Sequence, residues 1–245
     1  MRSTKKGFTL IELMIVIAII AIIAAIAIPG LLQSQRASNE RNASASLKTV
    51  ATAEADFRSN DRDGNRVNDY WTYDIAGLFS LIPAGGATTD LTNAIKLIEV
   101  SICGAETMTR NTNIAHTSGG TEMAVNSYVI PAPKAGYWYM ALLSDSSPTT
   151  AVIYVNSTDG GSTSHNTSIF GMAAYPDSMS SGRQVFVINE GNTMFKRAVI
   201  SNIKGAVANP PNTIMAAGGV SGGGTANPNN WPSDAQVQSF YGRMD

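Results

Sequence analysis

Residues 5–30 read KKGFTLIELMIVIAIIAIIAAIAIPG, and this stretch decides how the rest of the chain is organised. From Phe8 to Ile28 every residue is apolar except Thr9 and Glu12. As a helix the segment spans roughly 30 Å, about the thickness of the hydrocarbon core of a bilayer. It is therefore long enough to cross a membrane.

The residues before this segment predict its orientation. Arg2, Lys5 and Lys6 carry positive charge, and no acidic residue lies among them. Because positively charged flanks stay on the cytoplasmic side, residues 1–7 are expected in the cytoplasm and the chain after Pro29 outside it.

Two common kinds of segment leave Glu12 unexplained. A cleaved secretory signal would use Ala25 to Ala27 as its cleavage site, but this apolar run is longer than the usual ~7–15 residues. A plain membrane anchor accounts for the length. It does not account for Glu12, because an intramembrane carboxylate costs about 3 kcal/mol unless it is paired. In a signal that is only discarded, an acidic residue has no purpose.

A third interpretation accounts for the whole segment. Lys5 to Glu12, followed by the unbroken apolar run, resembles the prepilin signal of type IV pilins and of the related pseudopilins of type II secretion. The resemblance is strong as far as about Pro29 and general beyond it. It implies that a prepilin peptidase/methyltransferase cuts between Gly7 and Phe8 and N-methylates Phe8, and that the apolar helix stays on the mature protein.

The same resemblance implies a role for Glu12 in assembly. Cleavage after Gly7 creates a charged amine on Phe8, and opposite charges in a low dielectric offset each other's desolvation when they meet. In type IV pilins the amine of an incoming subunit pairs with this glutamate of a neighbour. We therefore expect Glu12 to be an unpaired charge until a subunit docks.

An amphipathic helix is predicted to follow. Five apolar residues recur there at spacings of three and four, and charged residues lie largely off this stripe. The residues of the stripe are Ala43, Leu47, Val50, Ala51 and Phe57. Since a proline can kink a long helix without ending it, we predict one continuous rod to about residue 59, with the stripe carrying a globular domain.

The rod is predicted to end at a loop that partly resembles a calcium site. Asp61, Asp63, Asn65 and Asp69 occupy its first, third, fifth and ninth places, where an EF-hand loop presents oxygen ligands. The glycine at the sixth place and the bidentate glutamate at the twelfth are missing. The alternative, which we favour, is a solvated Asp-Gly-Asn turn that closes the helix.

Beyond the loop the chain reads as α+β. A short helix is predicted from Asp90 to about Val100, and strands are predicted after it. The predicted strands are 128–130, 137–143, 151–155 and 169–174, followed by a hairpin in 184–200 around a turn at 190–193. An antiparallel sheet packed on the outer half of the rod is the economical arrangement, and it is the pilin-like fold that the resemblance implies.

The predicted organisation has four parts. They are a leader (1–7), a transmembrane and filament-core segment (8–29), an amphipathic half of the helix (30–59) and a β-rich extracytoplasmic domain (60–245). Residues 205–232 are rich in Gly, Asn and Pro and predict a mobile surface loop that rejoins the domain at Trp231.

The search for catalytic chemistry gives no positive signal. His116 and His165, the only histidines, lie in polar stretches that suggest loops, and no local spacing joins them to other metal ligands. No phosphate-binding GxxxxGK[ST] loop is present. Cys103 is the single cysteine and is expected to be a small buried hydrophobe.

The residues and the resemblance together predict a structural subunit and not an enzyme. The expected partners are other pilin-like subunits, the prepilin peptidase, an inner-membrane assembly platform and membrane lipid, with calcium possible on the loop. A net charge of −1 predicts no nucleic-acid partner. The alternative is a secreted or membrane-anchored calcium- or ligand-binding protein that uses the segment as an ordinary signal or anchor.

Overall fold

A long helix organises the structure. The computed structural model describes residues 7–86, 91–106, 114–116, 120–142, 144–145, 164–198, 230–231 and 242–243. Helix α1, Leu10–Asn60, runs for 51 residues and continues through Pro29. Proline removes one backbone donor from the helix, and neighbouring turns keep it continuous. The predicted continuous rod is confirmed.

The outer half of α1 carries the domain. The five residues of the predicted stripe, Ala43, Leu47, Val50, Ala51 and Phe57, are all buried, as are Ser46, Ala53 and Glu54. Within the described helix, no residue before Ala43 is buried. The predicted amphipathic half is therefore confirmed, and the preceding half is left uncovered.

In the part of the chain that the structure describes, two short α-helices and twelve strands follow α1. The helices are α2 (Gly77–Ser80) and α3 (Val100–Cys103). The strands, all two to six residues long, are β1 (Tyr70–Trp71), β2 (Leu81–Ile82), β3 (Ile114–His116), β4 (Gly120–Glu122), β5 (Tyr137–Ala141), β6 (Ser144–Asp145), β7 (His165–Asn166), β8 (Gly171–Pro176), β9 (Gln184–Asn189), β10 (Met194–Ala198), β11 (Asn230–Trp231) and β12 (Gly242–Arg243).

The largest sheet packs against the outer half of α1. Its order is β12-β10-β9-β8-β5, and every neighbouring pair is antiparallel. Strands β8 and β9 contact α1. The predicted antiparallel sheet on the rod is confirmed, and so are the strands at β5 and β8 and the β9–β10 hairpin.

Three smaller pairings complete the described sheets. Strands β2, β4 and β3 form an antiparallel sheet, and β6 pairs with β11 in parallel. Strand β1, just beyond the end of α1, pairs with β7, so that Tyr70 faces Asn166 and Trp71 faces His165. The β1–β7 pairing thus joins segments about a hundred residues apart.

The predicted helix from Asp90 to Val100 is wrong. Residue 90 lies outside the described residues, Leu91–Asn93 form one 3₁₀ turn, and the next helix begins only at Val100. The amides of residues 95, 96 and 97 donate to the carbonyls of residues 81, 79 and 78 at 3.0, 3.1 and 2.8 Å. These tertiary hydrogen bonds replace the helical ones, and Lys96 takes a positive φ of 50°.

The predicted strand at 128–130 is also wrong. Val125–Ser127 form a 3₁₀ turn, and the amides of Tyr128 and Val129 donate back to the Val125 carbonyl at 3.2 and 3.0 Å. The predicted strand 151–155 lies outside the described residues. So does most of the predicted loop 205–232, apart from strand β11.

A buried glycine next to an indole ring gives a direct test of this packing. The Gly77 amide and Trp71 Nε1 both donate to Asp74 Oδ1, at 2.8 and 3.2 Å. A Cβ at Gly77 would collide with the Trp71 ring, whereas a Cβ at the exposed Gly191 meets no atom closer than 3.4 Å.

We predict that Gly77→Ala lowers the free energy of unfolding of the detergent-solubilised chain by about 1–3 kcal/mol, because overpacking forces the ring aside. Gly191→Ala is the matched control and should change it by less than about 0.5 kcal/mol. Urea unfolding followed by tryptophan fluorescence measures both. Equal stability of the two variants would contradict the packing described.

Candidate functional site

The predicted cleavage point lies in an exposed, non-helical segment. Gly7 and Phe8 precede the first turn of α1, and Phe8 is 79% exposed. The bond between them is therefore accessible, as a peptidase substrate must be.

Glu12 is already hydrogen-bonded within its own chain. Its Oε2 accepts from the Thr9 amide at 2.8 Å and from Thr9 Oγ1 at 2.6 Å. The Glu12 amide donates to Thr9 Oγ1 at 3.3 Å, so the two residues form a reciprocal capping box. The expectation that the charge of Glu12 stays unpaired until a subunit docks remains a prediction, but Thr9 already satisfies part of the hydrogen-bonding capacity of the carboxylate.

Thr9 is the functional residue that our sequence reasoning missed. The signal was present as Thr9-Leu10-Ile11-Glu12, the S/T-x-x-E pattern that starts a helix. Glu12 thus has a local role in starting α1, beside the role that the resemblance implies.

The first half of α1 presents a long apolar surface. Its large hydrophobic side chains between Leu10 and Leu32 are 44–76% exposed. The most apolar 18-residue window has a mean hydropathy of 3.1 and no buried residue. By length and composition the helix can cross a membrane, a test that signal sequences also pass.

A second site lies where α1 ends, within the folded domain. Asp63, Asp69 and His165 each offer one metal-ligating atom, and these atoms lie within 4.8 Å of one another. Asp63 Oδ2 is 2.9 Å from His165 Nε2. The three residues are 0%, 5% and 3% exposed. Two carboxylates and an imidazole therefore meet in a protected place.

The loop and strand β7 hold this cluster. Asp61 ends α1 in the left-handed conformation, with φ of 46°, so a turn closes the helix as predicted. The expectation that this turn is solvated is wrong, because Asp63 is fully buried. Strand β1 pairs with β7, and the Thr72 amide donates to the Ser164 carbonyl at 2.8 Å. This pairing brings His165 to the carboxylates.

The four residues of the predicted calcium loop do not all face the same site. Asp63 and Asp69 point into the buried cluster, whereas both oxygens of Asp61 accept from the Arg66 amide, at 3.2 and 3.0 Å. Asn65 Oδ1 accepts from the Val67 amide at 2.6 Å. Calcium binding by the four residues stays a prediction.

Burial controls the protonation of this region. Desolvation raises the pKa of Asp69 to about 6, against smaller opposing effects from His165 and Asn65. Desolvation also raises the pKa of Glu54 well above its ordinary range, although its Oε2 accepts from the Trp71 amide at 3.0 Å. The end of α1 therefore binds protons more tightly than an unfolded chain does.

The two histidines lie in strands, so our expectation of loops is wrong. His116 ends β3, and its Nε2 is 3.5 Å from Glu122 Oε2, with both side chains buried. His165 begins β7. Its carboxylate partners are about a hundred residues away in the sequence, so no local spacing could reveal them.

Cys103 matches its prediction as a buried hydrophobe. It is fully buried, and its Sγ lies 3.0 Å from Tyr128 Oη. Desolvation raises the pKa of the thiol to about 12, so that little reactive thiolate forms at neutral pH.

Comparisons with known proteins match the N-terminal segment that contains Gly7, Phe8 and Glu12. Residues 2–28 match the model of a family described as the prokaryotic N-terminal methylation motif. Over 65 residues the chain is 49% identical to the type IV major pilin protein PilA of Myxococcus xanthus (strain DK1622). That match covers 26% of this chain and 28% of the pilin.

No solved structure matches the chain significantly. The predicted resemblance to type IV pilins is thus confirmed in the N-terminal region, where Gly7, Phe8, Thr9 and Glu12 lie within the matched motif. The long helix with antiparallel sheets is an α+β arrangement consistent with a pilin-like fold.

The raised pKa values predict how stability changes with pH. Between the ordinary pKa of Asp69, 3.8, and its folded value of about 6, the folded chain binds more protons than the unfolded chain. The free energy of unfolding should therefore fall as pH rises, by on the order of 1 kcal/mol from this residue between pH 5 and 7.

Urea unfolding of the full chain with EDTA, at pH 5, 6 and 7, measures this dependence. Asp69→Asn should reduce the fall, because an amide does not titrate. Asp61→Asn, at a carboxylate that already accepts two bonds from the loop backbone, is the control and should change it much less, because Asp61 has the smallest of the effects on the pKa of Asp69. An identical pH dependence in Asp69→Asn and the unmodified chain would contradict the assignment.

Proposed function

We propose that this chain is a structural subunit of a type IV pilus or a type II secretion pseudopilus. The observation that supports this most is a helix whose first half is apolar, exposed and part of a methylation motif, while its second half carries a folded domain. The precursor is cleaved between Gly7 and Phe8, and Phe8 is N-methylated.

The uncovered half of α1 needs a partner at each stage. In the precursor, membrane lipid covers the apolar residues 10–29, which measure about 30 Å at helical rise. In the filament, the same surface packs against α1 of neighbouring subunits. Because lipid is as apolar as leucine, apolar contact alone does not drive helices together within the membrane. A polar contact is therefore needed to select the docking position.

Glu12 and the amine of Phe8 supply that contact. The capping bonds from Thr9 both use Oε2 of Glu12, and an ionised carboxylate has further accepting capacity. The Phe8 amine of an incoming subunit can therefore bind Glu12 of a neighbour while the cap is kept. The pair sets the axial register of the filament.

The domain gives the outward surface of the filament. It is attached to α1 by the buried stripe and by polar contacts just before the stripe. There, Asn39 Nδ2 donates to the Ser181 carbonyl at 2.9 Å, and the Arg183 amide donates to Glu40 Oε1 at 2.9 Å. The sheet is thus held on α1 by both apolar and polar contacts. Assembly through α1 carries the domain to the outside.

In this role the precursor has defined partners and a defined location. The precursor is a single-pass protein of the bacterial inner membrane with its domain outside the cytoplasm. It meets a prepilin peptidase/methyltransferase and then an inner-membrane assembly platform, which adds it to other pilin-like subunits. Its role is assembly and not catalysis, as the similarity to a major pilin supports.

We predict that Glu12→Ala and Glu12→Val leave membrane insertion intact but reduce the yield of sheared fibres about tenfold or more. The reason is that removing one partner of a desolvated ion pair leaves the other charge buried and unpaired. Immunoblots of membranes and of sheared fibres measure the two quantities.

Two control variants separate docking from helix capping. Thr9→Val removes the cap and keeps the carboxylate, so it should cost much less fibre than the Glu12 variants. Leu13→Ala changes a neighbouring apolar residue and should assemble nearly normally. Normal fibre yield from both Glu12 variants would refute the docking role. If Thr9→Val lost as much fibre as the Glu12 variants, the effect of Glu12 would be explained by helix capping alone.

A further inference from the structure

The buried cluster at the end of α1 has no part in the assembly proposed above. We propose that Asp63, Asp69 and His165 bind one divalent transition-metal ion of the zinc class. The ion would fasten the loop after α1 to strand β7. This inference holds whether or not the chain forms a filament.

The geometry of the three side chains carries the first step. Their ligating atoms lie within 4.8 Å of one another, and the side chains come from two segments held together by the β1–β7 pairing. Ligands of one ion at about 2.0–2.2 Å from it lie about 3–4 Å apart. Small side-chain rotations would therefore be enough to close around an ion.

An unsatisfied buried atom carries the second step. Asp69 is 5% exposed, and its Oδ1 is buried without a hydrogen-bond partner, while Oδ2 accepts only a 3.3 Å bond from Asn65 Nδ2 among its described contacts. A buried polar atom left without a partner costs about 1–3 kcal/mol. A metal ion satisfies such an oxygen, and no hydrogen-bond donor of the described residues does.

The neighbour of His165 favours a ligating nitrogen. Ser164 Oγ lies 2.8 Å from His165 Nδ1. When Nδ1–H donates to this hydroxyl, Nε2 carries the lone pair and faces Asp63. Metal-ligating histidines commonly donate their other ring nitrogen in this way, which fixes the tautomer and the orientation of the ring.

The donor types select the class of ion. Calcium and magnesium are hard ions that prefer oxygen ligands, whereas an imidazole with carboxylates suits zinc and neighbouring transition metals. Two carboxylates and a neutral imidazole carry a charge of −2, which one divalent ion balances. A protonated His165 would balance only one of the two. A further position on the ion is left for water or a second carboxylate oxygen.

The site would act as a cross-link. It joins residue 63 to residue 165, at the junction of the rod and the domain. With Cys103 as its single cysteine, the chain cannot form an internal disulfide. An ion bound only by the folded state raises stability by mass action, and it does so without cysteine chemistry.

The test uses the full chain in detergent, stripped of metal with EDTA and then freed of chelator. Isothermal titration with Zn²⁺ should show one site. Thermal unfolding with free Zn²⁺ at 100 times Kd should shift upward by roughly 5–10 °C. Co²⁺ in place of Zn²⁺ should give visible absorption bands from an ordered site, and Ca²⁺ at the same concentration should give no shift.

Matched variants locate the site. Asp69→Asn and His165→Gln should each weaken Zn²⁺ binding at least about 100-fold. His116→Gln removes the other buried histidine and should keep the affinity, as should Asp61→Asn, which alters only the predicted calcium loop. Far-UV circular dichroism and the protection of the buried Cys103 thiol show that each variant is folded.

Three results would overturn the proposal. The first is an absence of stoichiometric Zn²⁺ binding to the folded chain, which would leave Asp63 and His165 as an ion pair. The second is Zn²⁺ affinity that is unchanged in folded Asp69→Asn and His165→Gln. The third is a site that prefers Ca²⁺ and is lost in Asp61→Asn, which would establish the oxygen-ligand loop instead.

Discussion

The folded domain covers α1 along only half of its length, and this incomplete burial determines which partners the chain needs. The domain buries α1 from Ala43 onward, and the apolar residues between Leu10 and Leu32 stay exposed. An apolar surface of that length is stable only in lipid or against other apolar helices. The domain therefore covers one end of the rod, and the apolar surface of the other end must be covered by lipid or by another molecule.

Polar groups mark both ends of this helix. At its start, Thr9 and Glu12 cap each other, so that the carboxylate is partly satisfied and still able to accept a further donor. At its end, the loop beyond Asp61 turns Asp63 inward to His165. The first site suits contact between subunits, and the second suits a fixed junction inside one subunit.

Most of the fold could be predicted because the signals were local. The apolar run, the stripe through Leu47 and Phe57 and the β9–β10 hairpin each follow from a short period in the sequence. The helix expected at 90–100 failed because its amides bond to residues 78–81, and periodicity does not report such contacts. The meeting of Asp69 and His165 depends on the β1–β7 pairing, which no local pattern encodes. The role of Thr9 as the N-cap of α1 could have been predicted from the S/T-x-x-E pattern, but we did not predict it.

Assembly as proposed requires that α1 is kept and that the mature chain begins with the amine of Phe8. Mass spectrometry of the N-terminus of the native protein tests it most directly. We expect the mature chain to begin at N-methylated Phe8, with residues 1–7 removed and the apolar half of α1 retained. A chain that begins at Ile28 would mean an ordinary secretory signal, and an intact Met1 would mean a plain anchor. Either result would contradict assembly through a retained α1.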